Sequence, residues 1–195
     1  MNLERYYTPE SVAAHLVSLV YPEKYSCIIE PSAGDGAVIK ALTACGTPLP
    51  PVYAYDLAPA AEGIETMNWI EPKDAHGSPR KKLYVPKGAK AQRWHHALVI
   101  GNPPFSRAEA FIKESLFADV IAFILPKSFM KSGHAERVIG AHHYVQTIEE
   151  VPETALYRLS DGQTAAVPTN VYAFFNGKPQ NGKKHRSRIV RTLPS

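Results

Sequence analysis

The residues with the most chemical content are Asn102-Pro103-Pro104-Phe105, which follow the apolar run ALVIG at 97–101. Two consecutive prolines fix φ and remove two N–H donors, so the turn is stiff and its carbonyls face outward. The Asn102 side-chain oxygen and the Pro103 carbonyl can together accept both hydrogens of a single NH2 group. Phe105 can stack on a planar ring that carries that group. An exocyclic amine is a poor nucleophile because its lone pair is delocalised into the ring. Two acceptors on its hydrogens return electron density to nitrogen and favour the pyramidal geometry of the transition state. This is electrostatic and orientational catalysis without a covalent intermediate.

A second constellation lies upstream. Ile28 to Gly36 reads IIEPSAGDG, a strand ending on Glu30, a turn of small residues and the start of a helix. Small residues let a ligand approach the backbone, and a helix N-terminus offers unpaired N–H groups. Asp56 ends the next strand, where it is placed to accept hydrogen bonds from ribose hydroxyls at the carboxyl edge of a parallel sheet. The turn lacks the G-x-G-x-x-G spacing of dinucleotide binders. Asp35 inside it would repel a pyrophosphate and suits a ligand with positive charge, such as a sulfonium carrying an ammonium group.

The elements that position these residues follow from hydrophobic pattern. Short apolar runs at 25–30, 52–56, 97–101 and 119–125 alternate with helical stretches at 37–45, 107–117 and 129–140, the signature of βαβ units around a parallel sheet. Runs near 144–151 and 167–175 are expected to close the sheet as an antiparallel pair. Residues 59–96 break the pattern with Pro72, Gly77, Pro79, Pro86 and Gly88, and read as an irregular basic insertion with one strand at KLYV, 82–85.

With 195 residues, 45% hydrophobic and 21% charged, the chain has the composition of one globular domain, assigned to 1–175, followed by a basic tail, 176–195. No apolar run is long enough to cross a membrane. The N-terminus has no signal-peptide core, and Cys27 and Cys45 cannot build a disulfide framework; a reducing, intracellular location, the cytoplasm, is expected. Both cysteines read as core residues. His95-His96 and His142-His143 lack accompanying carboxylates at ligand spacing, so no metal is expected. Residues 73–93 carry seven Lys/Arg against Asp74 alone, and the tail carries six with no acid, although the net charge is only +4. Two basic segments on an otherwise acidic body point to a polyanionic partner, nucleic acid.

On EPSAGDG, Asp56 and NPPF, in this order and spacing, the chain resembles the class I S-adenosylmethionine-dependent methyltransferases, specifically the amino-methyltransferases with an [N/D/S]-P-P-[F/Y/W] motif. Tyr7-Thr8-Pro9 resembles the T-P motif that closes over methionine in γ-type adenine methyltransferases. ILPKSFMKS and VPTNVYAFF resemble the core of NPPF-type adenosine N6-methyltransferases. The resemblance implies an α/β Rossmann-like fold, a mostly parallel seven-stranded sheet with an antiparallel last strand and helices on both faces. It implies S-adenosyl-L-methionine as cofactor and methyl transfer to the N6 amine of adenine in DNA or RNA.

Carried over by position, Tyr7, Thr8, Pro9, Glu30, Pro31, Ala33, Gly34, Asp35 and Gly36 would border the cofactor's methionine and ribose. Asp56 would hold the ribose hydroxyls and Leu57 would pack on the adenine. Asn102 and Pro103 would orient the target amine, with Pro104 bracing the turn and Phe105 on the base. The family's acid after the third strand has only Asp74 as its counterpart. Lys127, Ser128 and Phe129, after the fifth strand, are candidates for the target pocket, and Tyr157 and Arg158 in the 152–165 loop for substrate contacts. No large target-recognition domain is visible, so a recognition subunit, a second copy of the chain, or a short or single-stranded target is expected. Two other readings remain at this point: an N5-glutamine protein methyltransferase, whose acceptor presents the same planar NH2, and a non-catalytic nucleic-acid-binding subunit.

Overall fold

The computed structural model describes residues 6–71, 96–129, 138, 143–151, 155–176 and 188–189. The apolar runs form strands with period-two faces. In β2 (Cys27–Glu30), β5 (Ala97–Gly101) and β6 (Val120–Pro126) nearly every residue is buried, as expected of parallel strands covered on both sides. Cys27, Ile29, Val99, Ile121, Phe123 and Leu125 face one core with Trp69, Phe111 and Tyr172. Ile28, Leu98, Ile100, Ala122 and Ile124 face the other, with Val12, Leu16, Val38 and Leu42.

Among the described residues, three helices cover those faces. α2 (Ala37–Ala44) buries Ala37, Val38 and Leu42, and α3 (Ala108–Ser115) buries Ala108, Phe111 and Ile112. Gly46 at φ 72° ends α2 in the left-handed conformation that stops many helices. α1 (Glu10–Ser18), an element beyond those expected, packs Val12, Ala13, Leu16 and Val17 into the second core.

The main sheet also contains β3 (Val52–Asp56), β4 (Glu65–Thr66), β7 (His143–Glu150), β10 (Thr169–Asn176) and β11 (Arg188–Ile189). Its order is β11-β7-β10-β6-β5-β2-β3-β4. β10 runs antiparallel to both neighbours, Val171 opposite Ile124 and Glu149, and the remaining pairs are parallel. The mostly parallel sheet with an antiparallel late strand is therefore present. Its eighth strand, β11, comes from the segment expected to be a tail.

A second sheet joins β1 (Tyr6–Tyr7), β8 (Leu156–Leu159) and β9 (Thr164–Ala166) in the order β1-β8-β9. The 152–165 segment, expected as a loop, thus supplies a hairpin that pairs with the N-terminal strand, Tyr7 opposite Arg158.

Cys27 is buried, and burial pushes its thiol up to about 11. Cys45 corrects its expectation: it is exposed just past α2, its Sγ 3.2 Å from Thr47 Oγ1. The strand expected at 82–85, the basic segment 73–93 and most of the 129–140 helix lie outside the described residues. No described helix is long and apolar enough to cross a membrane.

Candidate active site

The carboxyl ends of β2, β3 and β5 meet at one cavity of about 450 Å³, within the range of roughly 300–1,000 Å³ typical of small-molecule sites. The glycine turn forms its floor. Gly34 and Gly36 adopt φ 53° and 80°, which side chains rarely tolerate. A Cβ at Gly34 would also sit 3.4 Å from the Tyr7 ring. The turn is tied down by Ala33 N–H donating to the Tyr55 carbonyl and Gly36 N–H to the Ala33 carbonyl.

Asp56 accepts one backbone N–H on each oxygen, from Gly34 at 2.9 Å and Ala58 at 2.8 Å. A carboxylate has about four acceptor positions, so capacity for two hydroxyls is left while the backbone fixes its orientation.

Asn102 is the centre of the opposite wall. Its Nδ2 donates to the Tyr6 carbonyl at 3.0 Å and to Thr8 Oγ1 at 3.1 Å. A carbonyl can only accept, so the nitrogen must face Tyr6, and both amide hydrogens are committed. Oδ1 is buried with no hydrogen-bond partner among the described residues. A buried acceptor left this way costs on the order of 1–3 kcal/mol, which an incoming donor would recover. Pro103, Pro104 and Phe105 line the same cavity, and Arg107 N–H closes the following turn on the Pro104 carbonyl.

Two more buried acceptors without partners among the described residues, Glu30 Oε2 and Ser32 Oγ, sit beside this corner; a Cβ on Gly101 would touch both side chains at 3.5 Å. Burial first, then the charges of Asp56 and Asp35, hold the Glu30 carboxyl well above the ordinary range. Glu30 stands behind the cavity wall, while Ser32, Asn102 and the glycine turn line it and fit a ligand that brings its own hydrogen-bond donors.

Several expected residues lie elsewhere. Tyr157 is fully buried, with its hydroxyl 2.7 Å from Thr169 Oγ1; it is a core side chain, unable to touch a substrate. Phe129 packs edge-on against Tyr172 in the first core. Lys127 and Ser128 do not line the cavity. Arg158 turns towards the glycine loop, 2.6 Å from Asp35 Oδ2, with its guanidinium 4.3 Å from the Tyr7 ring centroid. The negative charge of Asp35, expected to suit a cationic ligand, is already paired with Arg158 within the chain. Ala33, Asp35 and Gly36 shape the loop without lining the cavity; Thr8 accepts from the Asn102 amide, and Pro9 precedes α1. Tyr7, Pro31, Gly34, Asp56 and Leu57 do line it.

The segment directly after β4 had no expected role, yet Met67, Asn68, Trp69, Ile70 and Glu71 line the cavity. The strand beside β3 is Glu65–Thr66, and Asn68, two residues past its end, lines the cavity. Asp74 lies outside the described residues.

Comparison of this arrangement with solved structures decides the fold. The chain has the fold of the class I methyltransferases. A Pyrococcus horikoshii protein provisionally named an RNA methyltransferase matches with TM-score 0.64 at 15% identity, over 89% of this chain and 87% of that one. A Listeria monocytogenes protein, provisionally named a class I S-adenosylmethionine-dependent methyltransferase, matches with TM-score 0.60 at 12% identity, over 97% and 66%. The 23S rRNA methyltransferase ErmE matches with TM-score 0.60 at 10% identity, over 89% and 70%. No protein-family model and no curated protein sequence matches.

Proposed function

We propose that this protein is an S-adenosylmethionine-dependent methyltransferase acting on the N6 amine of adenine in nucleic acid. The observation that carries the reading is the state of Asn102: nitrogen anchored twice, oxygen buried and without a partner among the described residues, on a residue lining the cavity. An acceptor held in this way is preorganised for the NH2 of an incoming substrate. Support for a nucleic-acid acceptor comes from the two basic segments and from the names of two structural relatives, an RNA and an rRNA methyltransferase.

When bound, S-adenosylmethionine supplies an electrophilic sulfonium methyl. Asp56 would hold the ribose hydroxyls, Gly34 and Pro31 would border the methionine, and Leu57 would pack on the adenine. Asn68 would take the place of the family's acid; its amide offers both an acceptor and a donor to the adenine edge. Asn102 Oδ1 and the Pro103 carbonyl would accept the two hydrogens of the target amine, turning its lone pair towards the methyl. As nitrogen takes up the methyl group, those two oxygens would keep its hydrogens hydrogen-bonded until water accepts the proton that leaves.

The deciding experiment is tritium transfer from labelled S-adenosylmethionine to single- and double-stranded DNA and RNA, with a glutamine-bearing protein in parallel. Labelled N6-methyladenosine or its deoxy form is the expected product. Label only in the protein acceptor would replace this reading by the glutamine one.

A further inference from the structure

Asn102 and Phe105 account for one edge and one face of an acceptor; the other face has no owner in the arrangement so far. We infer that Tyr6 supplies it, so that Tyr6 and Phe105 form a two-sided slot for a flat aromatic base taken from a single strand or flipped out of a duplex. This rests on the nucleic-acid reading above and narrows it to acceptors with a stacking face.

The two rings lie nearly parallel, 19° apart, with centroids at 5.4 Å. Both line the cavity and both are only half-buried. The Tyr6 carbonyl holds the Asn102 amide, so the ring and the catalytic oxygen are positioned by the same residue. A base stacked on both faces needs ring planes about 6.8 Å apart, twice the roughly 3.4 Å stacking rise of nucleic-acid bases. The slot must therefore widen by at least about 1.4 Å, since the gap between near-parallel planes cannot exceed the centroid distance. Because the Tyr6 carbonyl braces Asn102, the backbone of β1 stays paired and the opening is a swing of the Tyr6 ring. Behind it, the edge of Tyr157 meets the Tyr6 ring at 6.4 Å and 84°. Tyr157 is itself fixed through Thr169, so it limits the recoil and acts as a positioning residue. A glutamine side chain has an amide plane but no ring to fill such a slot, whereas every nucleobase has one.

The alternative for the same geometry is a plug, in which the Tyr6 ring merely covers Phe105 until substrate displaces it. The two differ in sign. The test measures binding of a 12-nucleotide oligo(dA) and oligo(rA), and of an abasic 12-mer of equal charge, in the presence of S-adenosylhomocysteine. Wild-type protein should favour the base-bearing strands. Tyr6→Ala, and Tyr6→Leu, which keeps bulk but removes the π-face, should each lower that preference about five-fold or more, while Tyr6→Phe keeps it. Unchanged or tighter base-dependent binding by Tyr6→Leu overturns the slot. Loss of S-adenosylhomocysteine binding in that variant also overturns it, because the ring would then serve the cofactor. If wild-type protein itself shows no preference for bases over the abasic strand, the nucleic-acid base reading fails, whatever Tyr6 does.

Discussion

Replacing Asn102 with alanine separates what the residue does for folding from what it does for the reaction. The side chain makes two hydrogen bonds, at 3.0 and 3.1 Å, each worth about 1 kcal/mol net. Their loss alone would lower stability by about 2 kcal/mol. The same change removes the buried Oδ1, unpaired among the described residues, and recovers about 1–3 kcal/mol, so Tm should move by only a few degrees. Deleting one preorganised polar group of this kind costs a factor of about 10²–10³ in rate, or about 2.7–4 kcal/mol. Thr8→Val is the companion: Oδ1 stays but one of its two anchors goes, and a loss of about 1 kcal/mol of restraint corresponds to roughly a five-fold slower step. Single-turnover tritium transfer at saturating cofactor gives the rates, and calorimetry with S-adenosylhomocysteine gives the cofactor affinity. Asn102→Ala within ten-fold of the wild-type rate would refute the catalytic assignment. Loss of cofactor affinity in step with rate would show that the residue holds the fold of the site and nothing more.

Three further outcomes are expected. Folding raises the Glu30 carboxyl's affinity for its proton, so the wild-type protein should lose stability as pH rises from the unfolded value of about 4.3 through the folded one. Glu30→Gln never ionises, so its stability relative to wild type should rise from pH 4 to pH 9; a constant gap would show that folding leaves the Glu30 proton affinity unchanged. Arg158→Met uncovers Asp35 and should raise the preference for cationic S-adenosylmethionine over neutral S-adenosylhomocysteine. The rise should not exceed about five-fold, since an exposed pair is worth at most about 1 kcal/mol, and calorimetry at two salt concentrations would detect its absence. Removing residues 177–195 deletes six Lys/Arg and should weaken nucleic-acid binding. The log–log salt slope should become shallower by about 0.7 for each single-strand phosphate that the segment neutralises; an unchanged slope would mean that it neutralises none.

Features carried by contiguous residues were legible in the sequence. β2, the glycine turn and α2 occupy adjacent stretches, as do β5 and the NPPF turn, so hydrophobic period and turn chemistry locate them. What depended on distant pairing was not. Tyr157 and Arg158 alternate on a strand, but only the pairing of β8 with β1 sends Tyr157 into the core and Arg158 to Asp35, 123 positions away. The third parallel strand escaped because it has two residues, both exposed, with no apolar signature. Asn68 nonetheless left a trace: it stands between Met67 and Trp69, both buried, an alternation that marks a polar residue facing the other way. α1 also carries its own signal, in the spacing of Val12, Ala13, Leu16 and Val17.

The braces on Asn102 reach back 96 and 94 residues along the chain. Closing a loop of that span costs roughly 4 kcal/mol of chain entropy before any interaction repays it. During synthesis, Tyr6 and Thr8 precede Asn102 and wait for the intervening residues before their partner exists. Assembly of the Asn102 corner is thus a late, long-range event of folding, and the proposed activity would wait until Tyr6 and Thr8 are gathered in.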